Sequence, residues 1–243
     1  MGEPARFFFV HLQKTGGTAL YQRLRECFGP PAVYPTPDDH GEVAAVLDVR
    51  HLTRRFRADP DLRVVTGHFP YCTGEVLGVP FTTFTVVRDP IERTLSVLRR
   101  RQVADEQFVG RELDEIYADA ALRVIIDNHM VKMLSMTPDE MGLTPLTQSV
   151  TFDRERLGRA QHNLERIDVV GLQEQFEDFC ATLETSFGWD LGAPRFANRT
   201  PHRPVPDGLR ERIAADNRWD AELYRFAQDL VAARGPTGAD HGG

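Results

Sequence analysis

The chain has 243 residues, 41% of them hydrophobic, and carries a formal net charge of −7 at neutral pH. That length supports a substantial core and one α/β domain over residues 1–234, while the acidic balance argues against nucleic-acid binding, which needs many phosphates to be neutralised. No apolar run is long enough for a transmembrane segment, and Cys27, Cys72 and Cys180 are odd in number without C-x-x-C spacing, so they read as buried, reduced thiols rather than disulfides or zinc ligands.

The first predicted strand covers about 6–12, where Phe7-Phe8-Phe9-Val10-His11-Leu12 forms the unbroken apolar run of a buried parallel strand. It begins almost at the N-terminus, which leaves no room for a cleavable leader and points to a cytoplasmic location. Gln13-Lys14-Thr15-Gly16-Gly17-Thr18 follows, then a helix from Thr18 to about Phe28. A lysine and two glycines between a strand and a helix N-terminus make an anion cradle: Gly lets backbone N–H groups approach the anion, and the helix dipole adds attraction. The lysine precedes the glycines, whereas in the nucleoside triphosphatase loop it follows the last one.

Pro30, Pro31, Pro35 and Pro37 then mark an irregular stretch, followed by a helix at about 42–57 and a strand at 62–66 that leads through Gly67 to His68. A β-branched and aromatic strand at 81–87 ends in Arg88-Asp89-Pro90, with Asp89 as the N-cap of the next helix and Ser96 about two turns into it. A helical block covers 112–135, a helix 153–166, a short strand 168–171, an amphipathic helix 173–187 and a last helix 216–233. Residues 235–243 read as a disordered Gly-rich tail. This alternation predicts an α/β fold of three layers, with a central parallel sheet flanked by helices in a P-loop-like arrangement. Arg54-Arg55 and Arg99-Arg100-Arg101 read as solvated helix faces.

His11 through Thr18, taken together with Arg88-Asp89-Pro90 through Ser96, resembles the sulfotransferases that use 3'-phosphoadenosine 5'-phosphosulfate (PAPS), in particular the branch of the heparan sulfate 6-O- and 2-O-sulfotransferases. The likeness extends through Thr66-Gly67-His68, Asp127-Asn128 to Leu134, Asn163 to Leu172, and Asp220 to Tyr224, and leaves residues 30–60 uncovered. It implies a 5'-phosphosulfate loop at Gln13, Lys14, Thr15, Gly16, Gly17 and Thr18, and a 3'-phosphate site at Arg88 and Ser96. It also implies a late loop over that phosphate carrying Arg199, with Arg203 beside it, and PAP as the product with no metal. The acceptor would be a hydroxyl of a glycan, glycolipid or small natural product.

Sulfuryl transfer needs a base for the acceptor hydroxyl and a cation for the leaving phosphate. His68 stands at the sheet edge where the loop opens, and the resemblance gives a histidine after this strand the role of base; Lys14 is the cation. His11 and His129 are the fallback bases, and a capping or core histidine is the bland reading of His68. Asn128 and Lys132 lie one turn apart, either bordering the acceptor site or forming a hydrogen-bonded helix face. The runner-up is a nucleotide or small-molecule kinase with a variant phosphate loop. It would require Mg²⁺ ligands, for which Asp89 is the obvious acid.

Overall fold

The computed structural model describes residues 5–39, 41–193 and 205–235. Five strands, β1 (Phe7–Val10), β2 (Val33–Tyr34), β3 (Val64–Gly67), β4 (Thr82–Val87) and β5 (Val169–Leu172), form one all-parallel sheet in the order β2-β3-β1-β4-β5. Successive side chains of a strand point to opposite faces, so each strand feeds two cores. Phe8 and Val10 enter one with Val65, Val87 and Val170; Phe7 and Phe9 enter the other with Val64, Phe84 and Val169.

The second core is covered by α1 (Gly17–Phe28) and by the later helix Phe176–Phe187, through Leu20, Leu24, Phe179 and Leu183. The first is covered by helices Val49–Ala58, His129–Ser135, Arg154–Arg166 and Arg218–Arg234. In chain order the helices are α1; α2 (Val43–Leu47); α3 (Val49–Ala58); α4 (Thr73–Leu77); α5 (Pro90–Ala104); α6 (Leu113–Tyr117); α7 (Ala120–Ile126); α8 (His129–Ser135); α9 (Arg154–Arg166); α10 (Phe176–Phe187); α11 (Asp207–Asp216); and α12 (Arg218–Arg234). The fold is three-layered α/β, as the sequence pattern predicts.

Several elements differ from expectation for local reasons. The helix expected over 42–57 is broken at Asp48, whose carboxylate accepts from Arg50 N (2.7 Å) and caps α3. The proline stretch contains the two-residue edge strand β2, too short to show alternation. The block at 112–135 is three short helices, and α11 precedes the expected last helix, the two meeting at Asn217. The 235–243 tail lies outside the described residues beyond Gly235.

The strand order fixes where a ligand can sit. The chain leaves β1 toward β2 and β3, then crosses to β4 and β5 on the other side, so the order reverses at β1, and crevices at such points beyond the carboxyl ends of the strands are where open α/β sheets bind ligands.

Candidate functional site: the loop after the first strand

The loop from His11 to Gly16 leaves the carboxyl end of β1 with two left-handed residues, Lys14 (φ 66°) and Gly16 (φ 95°). A lysine in that region is strained by about 1–2 kcal/mol and persists only where surroundings over-determine it. Gly16 is the N-cap of α1 and has no side chain with which to cap it, so the first-turn N–H groups of Gly17 and Thr18 meet no side-chain acceptor. Glycine is also required by packing: a Cβ on Gly16 would lie 3.0 Å from the Phe176 ring, and one on Gly17 would lie 1.8 Å from His11 Nε2. Thr15 is fully buried and its hydroxyl donates to Leu12 O (2.8 Å), which removes it as a hydroxyl donor to a ligand and makes it an internal brace. Thr18 is exposed at the loop's rim.

On the β4 side stands Arg88, half-buried, with Nη1 donating to Lys14 O (3.0 Å). Glu92, Asp89 and Glu174 lie in its field. Each is engaged elsewhere: Glu92 pairs with Arg210 (2.6 Å), Asp89 accepts from Glu92 N as the cap of α5 (2.9 Å), and Glu174 accepts from Tyr224. Burial, then the charges of Arg100 and Arg88, pull the Lys14 ammonium below its ordinary value, and Arg99 acts on Arg88 in the same sense. Among the described residues none of Lys14, Arg88, Arg99 and Arg100 has a carboxylate within ion-pair distance. Arg100 is exposed and Arg99 half-buried, as a solvated face would be, and their charges also bear on Lys14 and Arg88 respectively. Arg101 pairs with Asp105 at 3.1 Å. The missed signal is spacing, because Arg99 and Ser96 are three residues apart and share a helix face. Ser96 is half-buried on α5, and its hydroxyl makes no hydrogen bond within the described residues.

On the β3 side, His68 follows Gly67, and its backbone N–H donates to Val46 O of α2 (2.9 Å). Its Nδ1 lies 3.3 Å from His11 O. A carbonyl only accepts, so Nδ1 carries the proton and Nε2 keeps its lone pair. Burial depresses the His68 pKa; the bond to the His11 carbonyl opposes this, and the charge of Lys14 reinforces it. The His11 ring stacks on Phe9 (5.1 Å between centroids) and stands 4.7 Å from the His68 ring. Burial and its neighbours His68 and Lys14 hold it neutral. Both imidazoles open on a cavity of about 420 Å³, walled by Gly17, Thr18 and Tyr21 of α1 and by Thr36, Asp39 and Val46.

Asp39 does not compete for the role of base. Its carboxylate is hydrogen-bonded by Thr36 N and Oγ1 (both 2.9 Å) and His51 Nε2 (3.0 Å), and it forms an ion pair with Arg55 (Nε–Oδ1 3.0 Å). Arg55 is thus a brace of the cavity wall rather than a solvated charge.

Three fallback or bordering positions take other roles. His129 is fully buried, with Nδ1 donating to Ile125 O (3.1 Å) and Nε2 accepting from Gln13 N (3.1 Å), so it has no free nitrogen to serve as a base. Lys132 is buried with Nζ donating to Val124 O (2.6 Å) and Leu146 O (2.8 Å), and burial with nearby Arg93 lowers its pKa to about 8. Asn128 is likewise buried, its Oδ1 accepting from Trp219 N (3.0 Å) and Asp220 N (3.1 Å). The hydrogen-bonded reading of this helix face is the correct one. Arg199 and Arg203 lie outside the described residues.

No family model matches the chain, and no curated protein matches it either. Among the described residues no helix is long and apolar enough to cross a membrane.

Proposed function

We propose that the chain is a PAPS-dependent O-sulfotransferase acting on a hydroxyl of a sugar, glycolipid or small natural product. The observation that carries this reading is the placement of one loop between two unlike flanks: cations with no carboxylate in ion-pair range among the described residues on the β4 side, and a neutral histidine with Nε2 free beside a cavity on the β3 side. The residues present fit such a donor, because a nucleotide with phosphates at both ends needs two anion sites, and the Lys14 loop and the Arg88–Ser96 turn supply them side by side.

When bound, PAPS supplies a sulfuryl group whose bond to the 5'-phosphate breaks as the acceptor oxygen bonds to sulfur, leaving PAP. His68 Nε2 takes the hydroxyl proton, its ring held by the His11 carbonyl. Lys14 and the N–H groups of Gly17 and Thr18 stabilise charge on the departing phosphate, and Arg88 with Ser96 holds the second phosphate. The cavity beside His68 takes the acceptor. The kinase reading needs an acid at a strand end, and Asp89, the one the sequence offers, is engaged as the α5 cap.

Isothermal titration of the intact protein with PAP and, separately, with ATP–Mg²⁺ tests the reading. PAP binding without ATP–Mg²⁺ binding is expected; the reverse overturns the sulfotransferase in favour of the kinase.

A further inference from the structure

The strain at Lys14 has to be held by something. Its carbonyl is gripped by Arg88 Nη1 (3.0 Å), and the residue before it is held through its own amide, Gln13 N donating to His129 Nε2 (3.1 Å). Thr15 Oγ1 closes the loop on Leu12 O (2.8 Å). The His129 ring is itself fixed, since Nδ1 donates to Ile125 O (3.1 Å). The start of α8 that carries it is anchored on α12: the Asp220 carboxylate accepts from Met130 N (3.1 Å) and Val131 N (2.8 Å), and the left-handed Asn128 (φ 43°) accepts from Trp219 and Asp220.

We infer that His129 is a positioning residue: by accepting the Gln13 amide it holds Lys14, with Arg88, in the left-handed conformation that shapes the anion loop, so that the seat of the anion is set from the α8–α12 junction. An imidazole suits this place. It reaches two main-chain groups of opposite kind at once, a carbonyl through Nδ1–H and an amide through Nε2, inside a region with no exposure to water. Burial and the neighbouring charges of Arg93 and Lys132 keep the ring neutral, which preserves the lone pair that the Gln13 amide needs. Protonation would set two donors against each other.

The inference rests on the reading of residues 13–18 as a phosphate seat, and two substitutions separate its parts. In H129Q the side-chain amide oxygen falls where Nε2 was and still accepts from Gln13, whereas in H129N the shorter amide reaches only Ile125 O. H129N removes one methylene more than H129Q, so the Gln13 exchange comparison, which reads the hydrogen bond itself, accompanies the affinities. PAP titration is expected to give near-intact affinity for H129Q and about tenfold weaker binding for H129N, and the Gln13 amide should exchange with solvent faster in H129N alone. Equal PAP affinity and equal Gln13 exchange in the two variants overturn the inference. If the intact protein binds no PAP, the phosphate reading falls and the exchange comparison alone decides whether His129 positions the loop. Should H129N not fold, ¹⁵N shifts of the His129 ring in the intact protein decide instead: protonation at Nδ1 with Nε2 accepting is expected, and protonation at Nε2 overturns the inference.

Discussion

On the β4 side of the loop, Arg88, Arg99 and Arg100 crowd Lys14 with no carboxylate in ion-pair range among the described residues; on the β3 side, His11 and His68 stand neutral against a cavity. One flank gathers positive charge that the carboxylates of Glu92, Asp89 and Glu174 offset only from beyond ion-pair range. The other has been stripped of charge, so that it can accept a proton. Because β1 lies between β3 and β4, a single loop serves both flanks, and Lys14 links them: it is pushed by Arg100 and Arg88 and in turn lowers the basicity of His68. The division teaches that binding and proton transfer are separable here, and each of the following substitutions is expected to damage one flank and spare the other.

The largest loss is expected from His68→Ala, which removes the proposed general base and should lower turnover by about 10²–10⁴-fold while leaving PAP affinity unchanged. Single-turnover measurement alongside PAP titration checks it; retained turnover would move the base role to His11, since His129 has no free nitrogen. The pH profile sharpens the same point. The His68 pKa is depressed in the folded protein, so its base form persists below pH ~6.5, the ordinary histidine value, and the acid limb of the rate should fall at lower pH than that. Removing the Lys14 charge relieves part of the depression, so the limb in Lys14→Ala should move upward.

Lys14→Ala should itself reduce turnover by about 10²–10³-fold, the scale of losing one preorganised stabiliser of the leaving group. Arg88→Ala strikes the proposed binding flank instead: it removes both the proposed phosphate contact and the grip on Lys14 O, and should weaken PAP by about 100-fold with the His68 acid limb little changed. An unchanged affinity would reduce Arg88 to a brace of the loop.

Much of this arrangement is legible in the sequence because it depends on backbone rules. An apolar run ending in Lys14-Thr15-Gly16-Gly17 has few meanings, and Arg88-Asp89-Pro90 announces a strand end and a helix cap together. The roles of His129, Lys132 and Asn128 were not legible, since they arise from contacts across 4 to 116 positions in the chain and no local pattern encodes the distant ones. Arg55 shares that opacity: a run of arginines looks solvated until the fold shows that one of them meets the buried Asp39. The cavity wall is hidden for a further reason, because prolines and a two-residue strand give no periodicity to read.

The smallest expected effect tests whether the cation cluster acts as one field. Arg100 is exposed and Arg99 half-buried, so neither is expected to touch a ligand as closely as Arg88. Their contribution is long-range, and at exposed positions such terms are worth about 1 kcal/mol or less. Arg99→Ala and Arg100→Ala should each weaken PAP by a few-fold at low salt. The difference from the intact protein should vanish near 1 M salt, where the screening length shrinks to about 3 Å. Arg88→Ala, by contrast, should keep most of its penalty at that salt, because its guanidinium is half-buried and bonded to the loop. If Arg100→Ala proved as salt-resistant as Arg88→Ala, the exposed arginine would be a direct ligand contact, and the binding flank would extend along α5 beyond Ser96.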